Sequence, residues 1–164
     1  MDLYICRHGI AVELGDGVTR DAERPLTPEG KRKLNQIGKA LNLLETNIEL
    51  VVSSPYVRAI ETAEILYESL HVQNAMEVTE ELTPNGNVRQ LLALLRKLHP
   101  KSVLVVGHEP YLSSLIALLV SGNPDAAILM KKGSIGKLVA NRLEFGRCAC
   151  LEWLLTPKQM GLMR

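Results

Sequence analysis

The chain has 164 residues, of which 46% are hydrophobic and 23% are charged, a composition typical of an ordinary globular domain with a sizeable core. Its 19 basic and 18 acidic side chains give a formal net charge of +1, so no global field favours nucleic acid or a membrane surface. One Phe, four Tyr and one Trp leave little aromatic surface on which bases could stack, which argues further against a nucleic-acid binder.

The N-terminal part is predicted to hold a strand and a long helix. Residues 2–7 form an apolar strand, and a loop with glycines and charges follows over 9–26. Thr27 is typical of an N-cap before Pro28 in the first helical turn, and the helix runs to about Leu44. Its apolar face contains Leu34, Ile37, Leu41 and Leu44. Because the chain opens straight into a strand, without a secretory signal, we expect a cytoplasmic location.

The middle of the chain continues the alternation of strand and helix. Residues 49–53 are predicted to form a strand, and Ser54-Pro55 repeats the cap-and-proline signal that opens a helix to about Leu70. A short strand is predicted over 76–78 and a helix over 88–98. The core-facing residues of that helix are Leu91, Leu94, Leu95 and Leu98.

The C-terminal part begins with the most apolar strand, 102–106, which leads into a helix that ends near Val120. Two last strands, 134–141 and 147–155, are joined by a short turn and are expected to pair antiparallel at an edge. Strands that are each followed by a helix imply right-handed crossovers and a parallel core. We predict one domain, 1–164, built as a three-layer α/β/α sandwich with a mostly parallel sheet.

Two of the strand ends carry an imidazole. Arg7-His8-Gly9 follows the first strand, and Gly107-His108 ends the strand that begins at residue 102. Ligands bind in open α/β sheets at the carboxyl ends of the strands. Gly9 allows a close approach of the backbone to a ligand, so we place it among the substrate-binding residues. Two imidazoles and a guanidinium at one edge favour a tetrahedral anion, most simply phosphate.

Arg58 supplies a second guanidinium. It falls in the first turn of the helix after Ser54-Pro55, where the positive end of the helix dipole disfavours a cation. This position is explained if the arginine serves an anion bound at the helix N-terminus, whereas the alternative is a solvated surface arginine. Structural roles are expected for four other residues that could carry chemistry: His71, His99, Cys148 and Cys150.

These motifs resemble the histidine phosphatase superfamily, which is also called the phosphoglycerate mutase-like superfamily. The resemblance rests on Arg7-His8-Gly9, on Ser-Pro-x-x-Arg-Ala-x-x-Thr-Ala around Arg58 and on Val-Gly-His-Glu-Pro around His108, in that order. It covers nearly the whole chain and implies the phosphoglycerate mutase-like α/β fold.

Within this superfamily the chain is most similar to the SixA type of phosphohistidine phosphatase. The short length fits that type, as do the segments Arg-Pro-Leu-Thr-Pro-Glu-Gly at 24–30 and Glu-Leu-Thr-Pro-Asn-Gly at 81–86. The mutase-like branch usually has an asparagine where this chain has Leu14. It also carries a long insertion with a lid and an acid, for which the segment between Arg58 and His108 leaves no room.

The resemblance implies phosphoryl transfer through a covalent phosphohistidine. By this analogy His8 attacks phosphorus, Arg7, Arg58 and His108 hold the phosphoryl oxygens, and water hydrolyses the intermediate. No metal or other cofactor is required, because the cationic side chains take the role that magnesium has in kinases. The favoured substrate is phosphohistidine on a protein such as a phosphorelay domain, since a protonated imidazole leaves without a strong general acid.

Two other functions remain open. A small-molecule phosphomonoesterase of the same superfamily would use Glu80 or Glu81 as its general acid, although both could equally be solvated surface charges. A non-catalytic phosphate-binding module would keep the pocket without turnover. The sequence leaves open the oligomeric state and the physiological substrate. It also leaves open whether the loop Lys131–Ser134 lines the pocket mouth or only precedes an edge strand.

Overall fold

A computed structural model describes residues 1–163 and contains one sheet of six strands with helices on both faces. The strands are β1 Asp2–Arg7, β2 Leu50–Ser53, β3 Glu77–Val78, β4 Ser102–Gly107, β5 Ile135–Ala140 and β6 Ala149–Leu155. The α-helices are α1 Pro28–Leu43, α2 Val57–Ser69, α3 Val88–Leu98, α4 Tyr111–Ser121 and α5 Pro157–Met160. Two short 3-10 helices, Asp21–Glu23 and Glu80–Leu82, lie in the connecting loops.

The strand order across the sheet is β3-β2-β4-β1-β5-β6. The pairs β2–β3, β2–β4 and β1–β4 are parallel, whereas β1–β5 and β5–β6 are antiparallel. The predicted mostly parallel sheet with an antiparallel pair at one edge is therefore confirmed. Only β6 of that last pair is an edge strand, because β5 lies between β1 and β6.

The sheet separates two apolar cores, which gives the predicted three layers. Side chains of β1 alternate between them, because successive residues of a strand point to opposite faces. Leu3 and Ile5 pack in the core that contains the apolar sides of α3 and α4, whereas Tyr4 and Cys6 pack in the core under α1 and α2. β1 and β4 are thus covered on both faces, and their carboxyl ends are held rigidly next to each other.

The start of α1 is built as predicted. The Thr27 hydroxyl accepts a hydrogen bond from the Gly30 amide at 3.0 Å, and Pro28 occupies the first turn. A Cβ atom on Gly30 would collide with the carbonyl oxygen of Ile10, so only glycine allows this turn to pack against the chain that leaves β1. The beginning of α1 is therefore fixed against the loop that follows His8.

Three details of the predicted helices are wrong. Helix α2 begins at Val57 with Tyr56 as its N-cap, so Ser54 does not cap the helix, although its hydroxyl accepts a hydrogen bond from the Tyr56 amide at 3.3 Å. Leu44 and Leu98 are 38% and 37% exposed, because each lies at the end of its helix, where the chain turns away from the core. Leu92 is buried instead, beside Leu91 and Leu95.

His71 and His99 both lie just after a helix, with φ angles of 53° and 49°, where they end α2 and α3 in the left-handed conformation. Within residues 1–163, no helix is both long enough and apolar enough to span a bilayer.

Candidate active site

The two imidazoles meet at the carboxyl ends of β1 and β4. Arg7 is in register with Gly107, and the His8 amide donates a hydrogen bond to the Gly107 carbonyl at 3.1 Å. His8 and His108, each one residue beyond its strand, consequently have ring centroids only 5.0 Å apart. The convergence predicted from the strand ends is present in the structure.

The His8 ring is buried and held in one orientation. Its Nδ1 lies 2.7 Å from the Gly9 carbonyl oxygen, which can only accept, so Nδ1 carries the hydrogen and Nε2 keeps a lone pair. The Nε of Arg58 donates to that Nε2 at 3.2 Å. Burial, chiefly, and then the neighbouring His108, Arg58 and Arg7 lower the pKa of His8 to about 3, although the hydrogen bond to Gly9 acts in the opposite direction. His8 is therefore neutral near pH 7.

Arg58 lies at the second position of α2 and is only 4% exposed, so it is not a solvated surface arginine. Its Nη1 donates to the Asp21 carbonyl oxygen at 2.6 Å, and its Nη2 donates to the Asp21 carboxylate at 2.9 Å. The Thr62 hydroxyl donates to the Arg58 carbonyl at 2.6 Å and accepts from the Gly9 amide at 3.0 Å. The start of α2 is thereby fastened to the loop that follows β1.

The guanidinium of Arg7 is held by the segment that precedes β5. Its Nη1 donates to the Met130 carbonyl at 2.7 Å, and its amide donates to the Ser134 carbonyl at 3.0 Å. The Gly133 amide lies 3.0 Å from both the Arg7 and the His8 carbonyl oxygens. The backbone groups of Met130, Gly133 and Ser134 therefore clamp the end of β1, whereas the side chains of Lys131 and Lys132 make none of these contacts.

His108 forms the opposite wall and is 1% exposed. Its Nε2 is hydrogen-bonded to the Ser54 hydroxyl at 2.8 Å, and the Tyr56 ring lies against it at 4.8 Å between centroids. Burial, followed by the charges of Arg58 and Arg7, lowers the pKa of His108 to about 4, although Asp21 opposes this. Nδ1 of His108 and Nε of Arg7 are buried without a hydrogen-bond partner among the described residues, so each has hydrogen-bonding capacity that the protein itself does not use.

The site thus combines two guanidiniums with two neutral imidazoles. Burial lowers the pKa of Arg7, but this guanidinium stays charged because an arginine pKa lies far above neutrality. Across residues 1–163, no group of three or more His, Cys, Asp or Glu side chains is arranged to hold a metal ion. An oxyanion is the ligand that suits this charge and these donors.

Comparison with known proteins agrees with the family that the sequence motifs resemble. The sequence profile of the histidine phosphatase superfamily (branch 1) matches residues 3–83. Phosphohistidine phosphatase SixA of Escherichia coli is 35% identical over 125 residues, which are 74% of this chain and 76% of that protein. An uncharacterised protein of Picosynechococcus is 33% identical over 138 residues, 82% of each chain. The chain belongs to the histidine phosphatase superfamily.

A solved structure supports this assignment over the whole fold. The structure of the protein histidine phosphatase SixA complexed with tungstate matches with a TM-score of 0.83 and 29% identity, covering 96% of this chain and 98% of that one. The α-ribazole phosphatase from Shigella flexneri shares the fold at a TM-score of 0.72 but only 20% identity, covering 96% of this chain and 97% of that one. The phosphoglycerate mutase-like fold expected from the motifs is confirmed.

Three other residues were predicted for this histidine phosphatase site. The Gly9 amide is already used by Thr62, and a Cβ atom here would lie 2.8 Å from Leu34 Cδ1, so glycine at this position serves helix packing. Glu80 is exposed in the 3-10 helix Glu80–Leu82. The Glu81 carboxylate accepts a hydrogen bond from the Asn87 amide at 2.7 Å. No hydrogen bond in the described chain joins either glutamate to the two imidazoles.

Asp21, Ser54 and Thr62 are residues of the histidine phosphatase site that the sequence reasoning missed. Each holds a group that carries the predicted chemistry: Asp21 and Thr62 bond to Arg58, and Ser54 bonds to His108. Burial alone would raise the pKa of the Asp21 carboxyl, but the hydrogen bonds and charges of Arg24 and Arg58 together outweigh burial and lower that pKa. Asp21 stands three residues before the Arg-Pro-Leu-Thr segment, and this closeness to a family-like motif is the one signal in the sequence that could have singled it out.

The two buried imidazoles should make this histidine phosphatase sensitive to mild acid. Their pKa values are lowered on folding to about 3 and about 4, so between those values and about 6.5 the unfolded chain binds protons that the folded chain does not. The free energy of unfolding should consequently fall by roughly 2 to 4 kcal/mol between pH 7 and pH 5 through these two groups. Urea unfolding at several pH values measures it. The fall should be shallower in the double variant His8→Asn, His108→Asn, and equal slopes in the two proteins would contradict this account.

Proposed function

We propose that the chain is a phosphohistidine phosphatase that hydrolyses phosphohistidine on a protein through a covalent phosphohistidine at His8. The observation that carries this proposal is the hydrogen bond from His8 Nδ1 to Gly9, which leaves the Nε2 lone pair beside two guanidiniums. A neutral, oriented imidazole is a competent nucleophile toward phosphorus. The similarity to phosphohistidine phosphatase SixA of Escherichia coli supports the choice of substrate.

In the first step the Nε2 lone pair of His8 forms a bond to phosphorus while the P–N bond of the substrate breaks. The electron pair of that bond stays on the nitrogen of the substrate imidazole, which leaves neutral if its other nitrogen was protonated. Arg7, Arg58 and the His108 ring hold the three phosphoryl oxygens and stabilise the charge that they carry in the transition state. Water then attacks phosphorus, and inorganic phosphate leaves as His8 regains its lone pair.

The leaving group decides between phosphohistidine and a phosphate ester. An alkoxide needs a positioned acid, whereas the imidazole of a protonated phosphohistidine does not. The carboxylate of Glu81 is engaged by the Asn87 amide, and Glu80 is exposed. This arrangement favours the P–N substrate.

A substrate panel tests the proposal. Phosphohistidine peptide, phosphoserine peptide and a sugar phosphate are compared at equal concentration, with phosphate release as the readout. We expect kcat/KM for the phosphohistidine peptide to exceed that for both esters by at least about tenfold, since a step without an acid loses roughly 10²-fold or more on an alkoxide leaving group. Efficient hydrolysis of the esters without release from phosphohistidine would overturn the proposal.

One observation keeps the phosphomonoesterase alternative worth testing. The 3-10 helix that carries Glu81 packs beside Gly107, where a Cβ atom would lie 2.9 Å from the Leu82 carbonyl oxygen. Burial and then the Glu81 charge raise the pKa of Tyr111, three residues after His108, so the Glu81 carboxylate lies near this wall of the site.

The variant Glu81→Gln distinguishes the two functions. If the chain acts on phosphohistidine, as proposed, kcat should change less than about threefold, because no acid is removed from the reaction, whereas loss of a general acid costs about 10²- to 10⁴-fold. The measurement is the pH profile of kcat for the phosphohistidine peptide and for a sugar phosphate, with Glu77→Gln, at an exposed glutamate of β3, as the matched control. A loss of 10²-fold or more, together with a shift in one limb of the profile, would assign Glu81 as the acid instead.

A further inference from the structure

A groove rich in lysine opens directly beside Arg7. Four lysines line it: Lys33 from α1, Lys131 and Lys132 from the loop before β5, and Lys158 from α5. Arg7 is part of the same lining, and the volume of the groove is about 450 Å³. This volume lies within the roughly 300 to 1,000 Å³ that ligand sites usually have. We call these residues the basic groove.

The charge of the basic groove is local and only partly neutralised. Lys33 is paired with Glu29 at 2.7 Å, and Lys132 is 3.8 Å from Glu13, whose side chain is 72% exposed. Lys131 and Lys158 form no ion pair within residues 1–163, which contain all the acidic residues of the chain. The whole chain has a net charge of only +1, so the positive potential of this groove is a local feature of its lining. Such a concentration attracts an anionic partner and orients its approach.

The basic groove is mechanically joined to the catalytic strand end. Arg7 donates through Nη1 to the carbonyl of Met130, the residue before Lys131, and Gly133 is bonded to the carbonyls of Arg7 and His8. An anion bound at Lys131 and Lys132 therefore lies in the same groove as Arg7, one of the groups assigned to the phosphoryl oxygens. Whatever occupies the groove is in a position to be part of the same substrate.

The shape of the basic groove fits a polypeptide better than a compact metabolite. Ile10 and Pro157 are apolar residues of its lining, and its lysines come from three separate elements and are exposed or partly exposed. A small anion is usually held by convergent, buried donors, whereas dispersed ammonium groups beside apolar side chains suit several carboxylates along a chain. The lining contains no aromatic side chain on which a base could stack, which argues against nucleic acid.

We propose that the basic groove docks an acidic segment of the protein that carries the phosphohistidine. This inference rests on the proposed function, and it adds a feature of the partner: Asp or Glu residues next to the phosphorylated site. Lys131 and Lys132 select such partners by charge, while Arg7, His8, Arg58 and His108 act on the phosphoryl group itself.

The test uses two phosphohistidine peptides that differ only in their flanks, one with Asp and Glu and the other with Asn and Gln. We expect kcat/KM for the acidic peptide to be at least tenfold higher, and the double variant Lys131→Glu, Lys132→Glu to remove this advantage through KM while kcat stays unchanged. High salt should reduce the advantage in the wild type, because exposed charges are screened. Phosphoramidate, which has no flank, should be hydrolysed equally by both proteins.

Two controls make the result specific. The control variant Lys39→Glu, Lys97→Glu makes the same charge change on two exposed residues of α1 and α3 outside the basic groove, and it should leave the preference intact. A sugar bisphosphate tests whether the groove binds the second phosphate of a small molecule. If the double variant loses activity on this substrate alone, the groove is a metabolite site and the proposal is overturned. An equal loss on phosphoramidate, or no preference for acidic flanks in the wild type, would overturn it as well.

A binding measurement separates this proposal from the proposed function. Fluorescence anisotropy of the unphosphorylated acidic and neutral peptides with wild-type protein involves no catalysis. We expect the acidic peptide to bind at least tenfold more tightly, and the double variant to lose this difference. If no P–N bond is hydrolysed but this difference is found, the docking proposal stands and the proposed function fails. If phosphohistidine is hydrolysed and the difference is absent, docking fails alone.

Discussion

Replacing His8 by alanine should lower kcat by about 10⁴-fold or more, since removal of a covalent nucleophile leaves only binding and electrostatic stabilisation. The variant should also fail to form an acid-labile phosphoenzyme, because the hydrogen bond from Nδ1 to Gly9 fixes the tautomer of His8 and leaves the Nε2 lone pair to face the arginines of the site. Rapid quenching with ³²P-labelled substrate, followed by mild acid treatment, measures both the rate and the label.

His71→Ala is the matched control for this experiment, because His71 is an exposed histidine at the end of α2. It should keep normal turnover and normal labelling. Label that persists in His8→Ala would move the phosphorylated position elsewhere, with His108 as the nearest imidazole. An unlabelled wild type that still binds phosphate would instead support a non-catalytic phosphate-binding module.

Arg58→Lys should lower kcat by about 10²- to 10³-fold, the usual cost of losing one preorganised donor to a transition-state oxyanion. Lysine keeps the positive charge but not the planar fork, which here reaches His8 through Nε and Asp21 through both Nη atoms. Steady-state kinetics with the phosphohistidine peptide measure the loss, and thermal unfolding of the same sample measures the stability.

Asp21→Asn controls for the structural part of that change. It removes the ion pair to Arg58 while leaving the guanidinium in place, so it should lower the melting temperature with a much smaller loss of kcat. If Asp21→Asn and Arg58→Lys lose the same activity, Arg58 acts mainly through its contact with Asp21 and not on the phosphoryl group.

The layered fold and the position of the site follow from local signals in the sequence. Apolar runs define β1, β2 and β4, and strand-then-helix order dictates a parallel core. His8 and His108 lie directly after two of these strands, so their meeting needs only that β1 and β4 be neighbours. Arg58 was indicated because it is a cation in the first turn of a helix, where the helix dipole disfavours positive charge.

The parts that the sequence did not reveal depend on contacts between distant segments. Ser54 resembled an N-cap because it precedes Pro55, yet its hydroxyl is bonded to His108, and only the pairing of β2 with β4 brings these residues together. Asp21 contacts Arg58 from within the loop 9–26, and that loop has no hydrophobic periodicity from which its path could be predicted. The clamp formed by the loop Lys131–Ser134 follows from the insertion of β1 between β4 and β5, which the order of elements alone does not specify.

The central position of β1 has a consequence for biosynthesis. β1 has as its neighbours β4 and β5, which are encoded about a hundred and more residues later. At roughly 5 to 20 residues per second, translation delivers those partners on the order of ten seconds after β1. During that interval the backbone N–H and C=O groups of β1 have no strand to pair with, so the nascent chain exposes an apolar strand edge, which is prone to aggregation, until β4 and β5 have been made.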